Sequence, residues 1–215
     1  LFPAAGIRFV PTAHEQGAAH MADGFSRVSG RHGVCIGQNG PGVTNFVTAI
    51  AAAYWAHSPV VAITPEAGTL SVGLGGFQET DQLAIFSRIT KYQAHVNNPA
   101  RIAELTGRAF DRALIDMGPV QINIPRDFFY GDAEHSIPLP VRIERGPGGK
   151  KDLEKAADLL AEAKFPVIIA GGGVITSGGV QAAMDLAELL GAPVANSYLH
   201  NDSFPSRHPL AVGPL

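Results

Sequence analysis

Two short segments carry residue types and spacings that could do chemistry. In the first, His14-Glu15-Gln16-Gly17-Ala18-Ala19-His20-Met21-Ala22-Asp23-Gly24, a carboxylate opens a helical stretch whose body is small and apolar. Glu15 admits two readings. An acidic first turn favours the helix macrodipole and need do no more. Alternatively, a carboxyl packed by small residues against a flat ligand has its pKa raised by desolvation, so that it can hold or share a proton. The second segment, Gly37-Gln38-Asn39-Gly40-Pro41-Gly42-Val43-Thr44-Asn45, is a glycine turn between a strand and a helix. Gly40 and Gly42 let the backbone come close to a ligand, and the helix start offers N–H groups. A tight turn that binds nothing is the other reading.

Three further patterns fail. His14-Glu15 with His20 is not the zinc motif HExxH, because the position one turn after His14 is Ala18. Gly171-Gly172-Gly173 follows an apolar run, but Thr176 stands where a dinucleotide fingerprint needs its third glycine, and no acidic residue follows at about 20 residues. Gly148-Gly149-Lys150 continues with Lys151 where a phosphate loop needs Ser or Thr. The single cysteine, Cys35, lies in an apolar run and reads as an inert core thiol.

Short apolar runs alternate with helix-period stretches along most of the chain, the pattern of βαβ units around a parallel sheet, and predict an α/β fold. Strands are expected over 31–38, 59–64 (broken by Pro65), 92–96 and 120–124, where Val120, Ile122 and Ile124 alternate with Gln121 and Asn123. Helices are expected over 43–56 and 78–89, and from Asn98-Pro99 through Ile102, Leu105, Ala109, Ala113 and Met117. The glycine-rich stretch 68–76 reads as a mobile loop. Four prolines and Gly146-Pro147-Gly148-Gly149 mark residues 131–150 as a linker between a first domain (1–130) and the beginning of a second (151–215). The second should hold a helix striped by Leu153, Ala156, Ala157, Leu160 and Ala161, strands over 167–170 and 193–197, and a helix over 180–190. The chain lacks an initiator Met and stops at Val212-Gly213-Pro214-Leu215, which reads as mid-loop, so a fragment is expected at both ends.

With 215 residues, 46% of them hydrophobic and 16% charged, the chain can bury a core and is no disordered tail. A net charge of −3 with no run of like charges gives no footprint for nucleic acid or an anionic membrane. No apolar stretch approaches the roughly 18 residues of a membrane span.

Taken together and in this order, HEQGAAHMADGFSR, GQNGPGVTN, SPVVAIT and GGFQE resemble the pyrimidine-binding domain of the thiamine-diphosphate-dependent enzymes related to acetolactate synthase. The likeness runs from Leu1 into the start of the central, Rossmann-like domain after the linker. Gln38-Asn39 before the turn and Thr64-Pro65-Glu66-Ala67 after the second strand, with AAYWAHSP, KYQAHVNNPAR, INIPRDFFYGD and HNDSFPSRHPL, are similar to the branch that takes sulfoacetaldehyde and phosphate to acetyl phosphate and sulfite.

The resemblance implies thiamine diphosphate and Mg²⁺ as cofactors. It implies that Glu15 hydrogen-bonds a ring nitrogen of the aminopyrimidine and favours its imino tautomer, with Gly40, Gly42 and Asn45 beside the same ring. Phe77 and Gln78 would approach the thiazolium and the substrate, Gln78 in a catalytic role. Lys91, Arg126, His57 and His95 are unranked candidates for an anionic group. The Gly-Asp-Gly motif that holds Mg²⁺ in the family has no match here, since Gly131-Asp132 continues with Ala133, so no metal ligand is expected in this chain and the fragment alone should be inactive. The family's first strand would lie ahead of Leu1. A homodimer or homotetramer, cytoplasmic placement and neither nucleic-acid nor membrane partners complete the expectation. The alternatives are an acetolactate synthase or other 2-oxoacid decarboxylase of the same superfamily, and an α/β scaffold without chemistry.

Overall fold

In the computed structural model the alternating pattern produces two parallel sheets in two units, residues 1–143 and 144–215. Residues 2–144 and 146–215 are described; the strand expected ahead of Leu1 falls outside them.

In the first unit, β1 (Gly33–Ile36), β2 (Val60–Glu66), β3 (Tyr92–His95) and β4 (Val120–Pro125) form a sheet of order β1-β2-β4-β3, every pair parallel. Parallel strands need crossovers, supplied by α2 (Pro41–Thr44) and α3 (Val47–Trp55), by α4 (Gln82–Phe86) and by α5 (Ile102–Ile115). Helix α1 (Glu15–Ser29) leads into β1. On one face Ala19, Ala22, Phe46, Ile50 and Phe86 pack on Cys35, Val60 and Ala62. On the other, Leu105, Ala109 and Ala113 of α5 pack on Val61, Ala94, Val120, Ile122 and Ile124. Burying a phenylalanine such as Phe46 or Phe86 completely stabilises the fold by roughly 2–3 kcal/mol.

Several local expectations are corrected. The helix expected over 43–56 is two, because the chain turns at Asn45-Phe46 between α2 and α3. Over 78–89 only α4 is helical; Asp81 caps it by accepting from Ala84 N–H, and Gln78 sits at φ 58°, which no right-handed helix allows. Pro65 does not break β2. The β1 pairing ends at Ile63, so Pro65 lies where β2 is paired only on its β4 side, and a proline on an unpaired flank costs little. The alternation in β4 is present, yet its polar positions face no solvent, for all six residues from Val120 to Pro125 are buried. Asn98 caps a 3-10 turn, Pro99–Arg101, that leads into α5.

The second unit holds α6 (Lys150–Glu162), β5 (Ile168–Ala170), α7 (Gly172–Thr176), α8 (Val180–Leu190), β6 (Val194–Asn196) and β7 (Ala211–Pro214). Its sheet has the order β5-β6-β7, all parallel. The chain's last residues are therefore largely strand, with Ala211 beside Val194, where a loop was expected. The α6 stripe is on the surface of the unit, Leu153 being half exposed. The described residues 132–144 and 146–149 carry no regular structure, and Val141 N–H donates to Asp111 on α5.

Candidate functional site

Helix α1 begins at Glu15 because His14 is extended and its Nδ1 accepts from Gln16 N–H, satisfying one of the donors that a helix start leaves open. That start aims the Glu15 carboxylate at the beginning of α2 and α3. Asn45 Nδ2 donates to Glu15 Oε2 at 3.0 Å. Glu15 Oε1 lies on the Gly42 side, where a Cβ built on Gly42 would stand 3.2 Å from it. A carboxylate oxygen thus faces one residue without a side chain, Gly42. The carboxyl is held below the ordinary range, first by the Asn45 amide and next by its own backbone N–H, against a smaller opposing effect of desolvation. The raised pKa belongs to the reading in which a flat ligand covers the carboxyl; in the chain by itself Glu15 is only half buried, and two hydrogen-bond donors favour its charged form.

The glycine turn is fixed by its own backbone. Gly40 takes φ 68° and ψ −113°, open to glycine alone, and a Cβ there would lie 2.4 Å from the Gln78 carbonyl oxygen. Gln38 Nε2 donates to Gln78 Oε1 at 3.1 Å, and Asn39 Nδ2 donates to the carbonyls of Phe77 at 3.1 Å and Gln78 at 3.3 Å. The two loops are stitched together, and Gln78 accepts a left-handed backbone in the stitch. Phe77 is 71% exposed beside them. Of the six residues singled out in the sequence, Glu15, Gly42 and Asn45 converge directly, and Gly40, Phe77 and Gln78 meet at the turn.

Two of the four candidates for an anionic group, Lys91 and His95, are engaged in other ways. Lys91 Nζ lies 3.9 Å from the Tyr54 ring centroid, and His95 pairs with Glu66. His57 takes φ 56° just after α3, and Arg126 opens a 3-10 turn, Arg126–Phe129, after β4. Cys35 is buried, and burial pushes its thiol up to about 12, as an inert core thiol requires.

Beneath the turn lies a layer that the sequence reading did not single out. Parallel register puts Thr64 beside Asn123, Gln93 beside Gln121 and His95 beside Asn123, all on one sheet face. Gln82, at the start of α4, inserts between this face and the turn. Its Oε1 accepts from Gly40 N–H at 2.8 Å, and its Nε2 donates to the Pro65 carbonyl at 2.8 Å and Asn123 Oδ1 at 2.9 Å. The signal available was the polar pair Gln121 and Asn123 inside an apolar run, with Thr64 in the strand beside it.

Among the described residues no group of three or more His, Cys, Asp or Glu could hold a metal ion, and no helix is long and apolar enough to cross a membrane.

Residues 1–85 match the family described as thiamine pyrophosphate enzyme, N-terminal TPP binding domain, and residues 153–215 match the central domain of the same enzymes. Two curated relatives named sulfoacetaldehyde acetyltransferase, from Alcaligenes xylosoxydans xylosoxydans and Castellaniella defragrans, are 65% and 66% identical over all 215 residues. A protein described as a probable acetolactate synthase large subunit in Methanocaldococcus jannaschii is 43% identical over 211 residues, covering 94% of this chain and 36% of that one. An X-ray structure from Mycobacterium smegmatis, described as thiamin diphosphate-dependent, superposes with a TM-score of 0.84 at 25% identity, over 97% of this chain and 41% of that one. The chain spans about a third of the two acetyltransferases it matches, 36% of each.

Proposed function

The chain belongs to the thiamine pyrophosphate enzyme family, and from that premise we propose that it forms the pyrimidine side of the cofactor site in an enzyme that converts sulfoacetaldehyde and phosphate to acetyl phosphate and sulfite. One observation carries the choice of substrate. Identity to the two sulfoacetaldehyde acetyltransferases is 65% and 66% over all 215 residues, against 43% over 211 residues to the acetolactate synthase large subunit.

The residues present fit the cofactor. A flat ring needs a carboxylate at its edge and a backbone without side chains at its face, and Glu15 Oε1 beside Gly42 provides both. Thiamine diphosphate, when bound, supplies an acidic thiazolium carbon that adds to a carbonyl group. Glu15 would accept or share a proton at a ring nitrogen through Oε1, while Asn45 fixes Oε2 and so sets the direction in which Oε1 points. The carboxylate is poised in its charged form, and covering it with ligand and partner raises its pKa toward proton sharing. Gly40 keeps the turn low enough for the ring, and Phe77 and Gln78 border the reacting end. Residues outside this chain would hold Mg²⁺ and the diphosphate.

The same reading takes residues 1–130 as the pyrimidine-binding domain, 131–150 as a linker and 151–215 as the start of the central domain. It makes the enzyme a cytoplasmic homodimer or homotetramer. An apolar stripe on α1, Met21, Phe25 and Val28 at spacings of four and three, stands exposed on the helix that carries Glu15 and suits contact with a second copy.

The test uses the full-length enzyme with thiamine diphosphate, Mg²⁺ and phosphate. Sulfite and acetyl phosphate released in equal amounts from sulfoacetaldehyde, and abolished by Glu15→Gln, would support the reading. Turnover of pyruvate alone would overturn it in favour of the acetolactate and decarboxylase branch.

A further inference from the structure

The buried amide of Gln82 touches the glycine turn, the sheet and nothing in solvent. It is 2% exposed, and each of its amide atoms has a partner of the opposite kind. From these contacts we propose that Gln82 is a positioning residue for the cofactor turn, holding Gly40 at the height from which Gly42 and Asn45 address Glu15. It acts through Gly40 and touches no reacting atom. The proposal rests on the reading of this site as a thiamine diphosphate site.

The physical argument starts from Gly40 N–H. It belongs to the residue just before α2, and a buried amide hydrogen without an acceptor is costly, so the turn settles where an acceptor exists. The turn's own backbone offers none in its φ 68°, ψ −113° conformation; Gln82 Oε1 does, at 2.8 Å. The oxygen is immobile because the nitrogen of the same amide is tied to Pro65 O and Asn123 Oδ1. Asn123 is held in turn by Glu66 and Thr64. The height of the turn is therefore referred to two adjacent strands of the sheet, β2 and β4, through one rigid side chain. From Gly40 the restraint passes along α2, where Thr44 N–H bonds Gly40 O, to Asn45, whose amide holds Glu15.

Gln93 supplies the control. It lies in the same layer, donating to Leu83 O at 2.7 Å and Gln121 Oε1 at 2.6 Å, but none of these contacts reaches the turn. In the full-length enzyme, Gln82→Met, Gln82→Glu and Gln93→Met are compared for melting temperature, for thiamine diphosphate affinity by fluorescence titration, and for hydrogen exchange of the Gly40 amide without cofactor.

The expected result is at least tenfold weaker cofactor binding and at least tenfold faster Gly40 exchange in Gln82→Met. Gln82→Glu, whose buried carboxyl facing two acceptors takes up a proton and so keeps an acceptor for Gly40 N–H and an O–H donor toward Asn123 Oδ1, retains slow exchange at Gly40. Gln93→Met shows both properties within about twofold of the unaltered enzyme even where its melting temperature falls. Equal loss in Gln82→Met and Gln93→Met would overturn the proposal in favour of general destabilisation, and so would unchanged Gly40 exchange in Gln82→Met. Should Gln82→Met not fold, Gln82→Glu decides alone: protected Gly40 with near-normal affinity supports the proposal, and lost protection overturns it. Failure of the unaltered enzyme to bind thiamine diphosphate would instead overturn the functional reading, while the Gly40 exchange would still report on the clamp.

Discussion

Two strand-to-helix turns in this chain are rich in glycine, and they differ in what their glycines are for. After β1, Gly40 adopts a backbone closed to other residues, and an added Cβ would strike the backbone carbonyl of Gln78. After β5, Gly171 is extended at φ −133°, Gly173 faces open space, and an added Cβ on Gly172 would meet the imidazole tip of His200, a side chain able to rotate. Around the first turn converge a carboxylate, the side-chain amides of Gln38, Asn39, Asn45 and Gln82, and a strained glutamine, Gln78. The second is bordered by Ser197 and His200. Glycine content alone is thus a poor guide to a site. Backbone conformation and what closes on the turn from other parts of the chain are the better ones.

The largest effect that would sharpen the contrast is catalytic. Glu15→Gln in the full-length enzyme is expected to lower sulfite release by about 10²–10⁴-fold, the usual range for removing a proton-handling group; activity within threefold of normal would remove the first turn's claim to chemistry.

Next comes stability. Gly40→Ala is expected to destabilise by about 3 kcal/mol in chemical denaturation, through a forbidden backbone and a clash with the Gln78 carbonyl.

Smaller still is Asn45→Ala, read by carbon NMR of the Glu15 carboxyl, whose pKa should rise toward the ordinary 4.5 as its first-ranked donor is lost. The sign for stability follows. A depressed acid binds fewer protons folded than unfolded, so the Asn45–Glu15 contact stabilises above 4.5 and loses its effect as pH falls through the folded value. The gap between unaltered and Asn45→Ala proteins, less than about 1 kcal/mol at neutral pH for so exposed a carboxylate, should close in acid. Last, Gly172→Ala should change stability by no more than about 0.5 kcal/mol. A loss as large as that of Gly40→Ala would erase the difference between the turns.

The sequence made much of the first turn legible because its signals are local. Glycines flanking a proline between an apolar run and an Ala-rich stretch demand a strand, a turn and a helix in that order, and the parallel α/β arrangement follows from repeating that order. Gln82 was not legible, because its role depends on register: only the pairing of β2 with β4 brings Thr64 beside Asn123 and opens the space that Gln82 fills. The helix expected over 78–89 concealed it further, since nothing in the spacing of those residues forces Gln78 into a left-handed backbone. Glu15's lowered pKa was hidden for the same reason. Its partner Asn45 is 30 residues away, and small apolar neighbours suggested desolvation where an amide donor prevails. At the chain's end, β7 is a strand only because β6 lies beside it.

The buried layer also has a direction. Gln93 donates to Gln121, Gln121 to Thr64, Thr64 to Asn123, and Asn123 to the Glu66 carboxylate, while Gln82 donates into the same series at Asn123. Every arrow ends on Glu66, which as a carboxylate can only accept. That polarity removes the usual freedom of amide groups to be turned end for end: reversing Gln82 would set its oxygen against two acceptors and its NH₂ against the Gly40 N–H. It also dictates the tautomer of His95, whose Nε2 must carry the proton that it shares with Glu66. One negative charge at the carboxyl end of β2 thereby orients a sequence of neutral dipoles that reaches the opening of the turn.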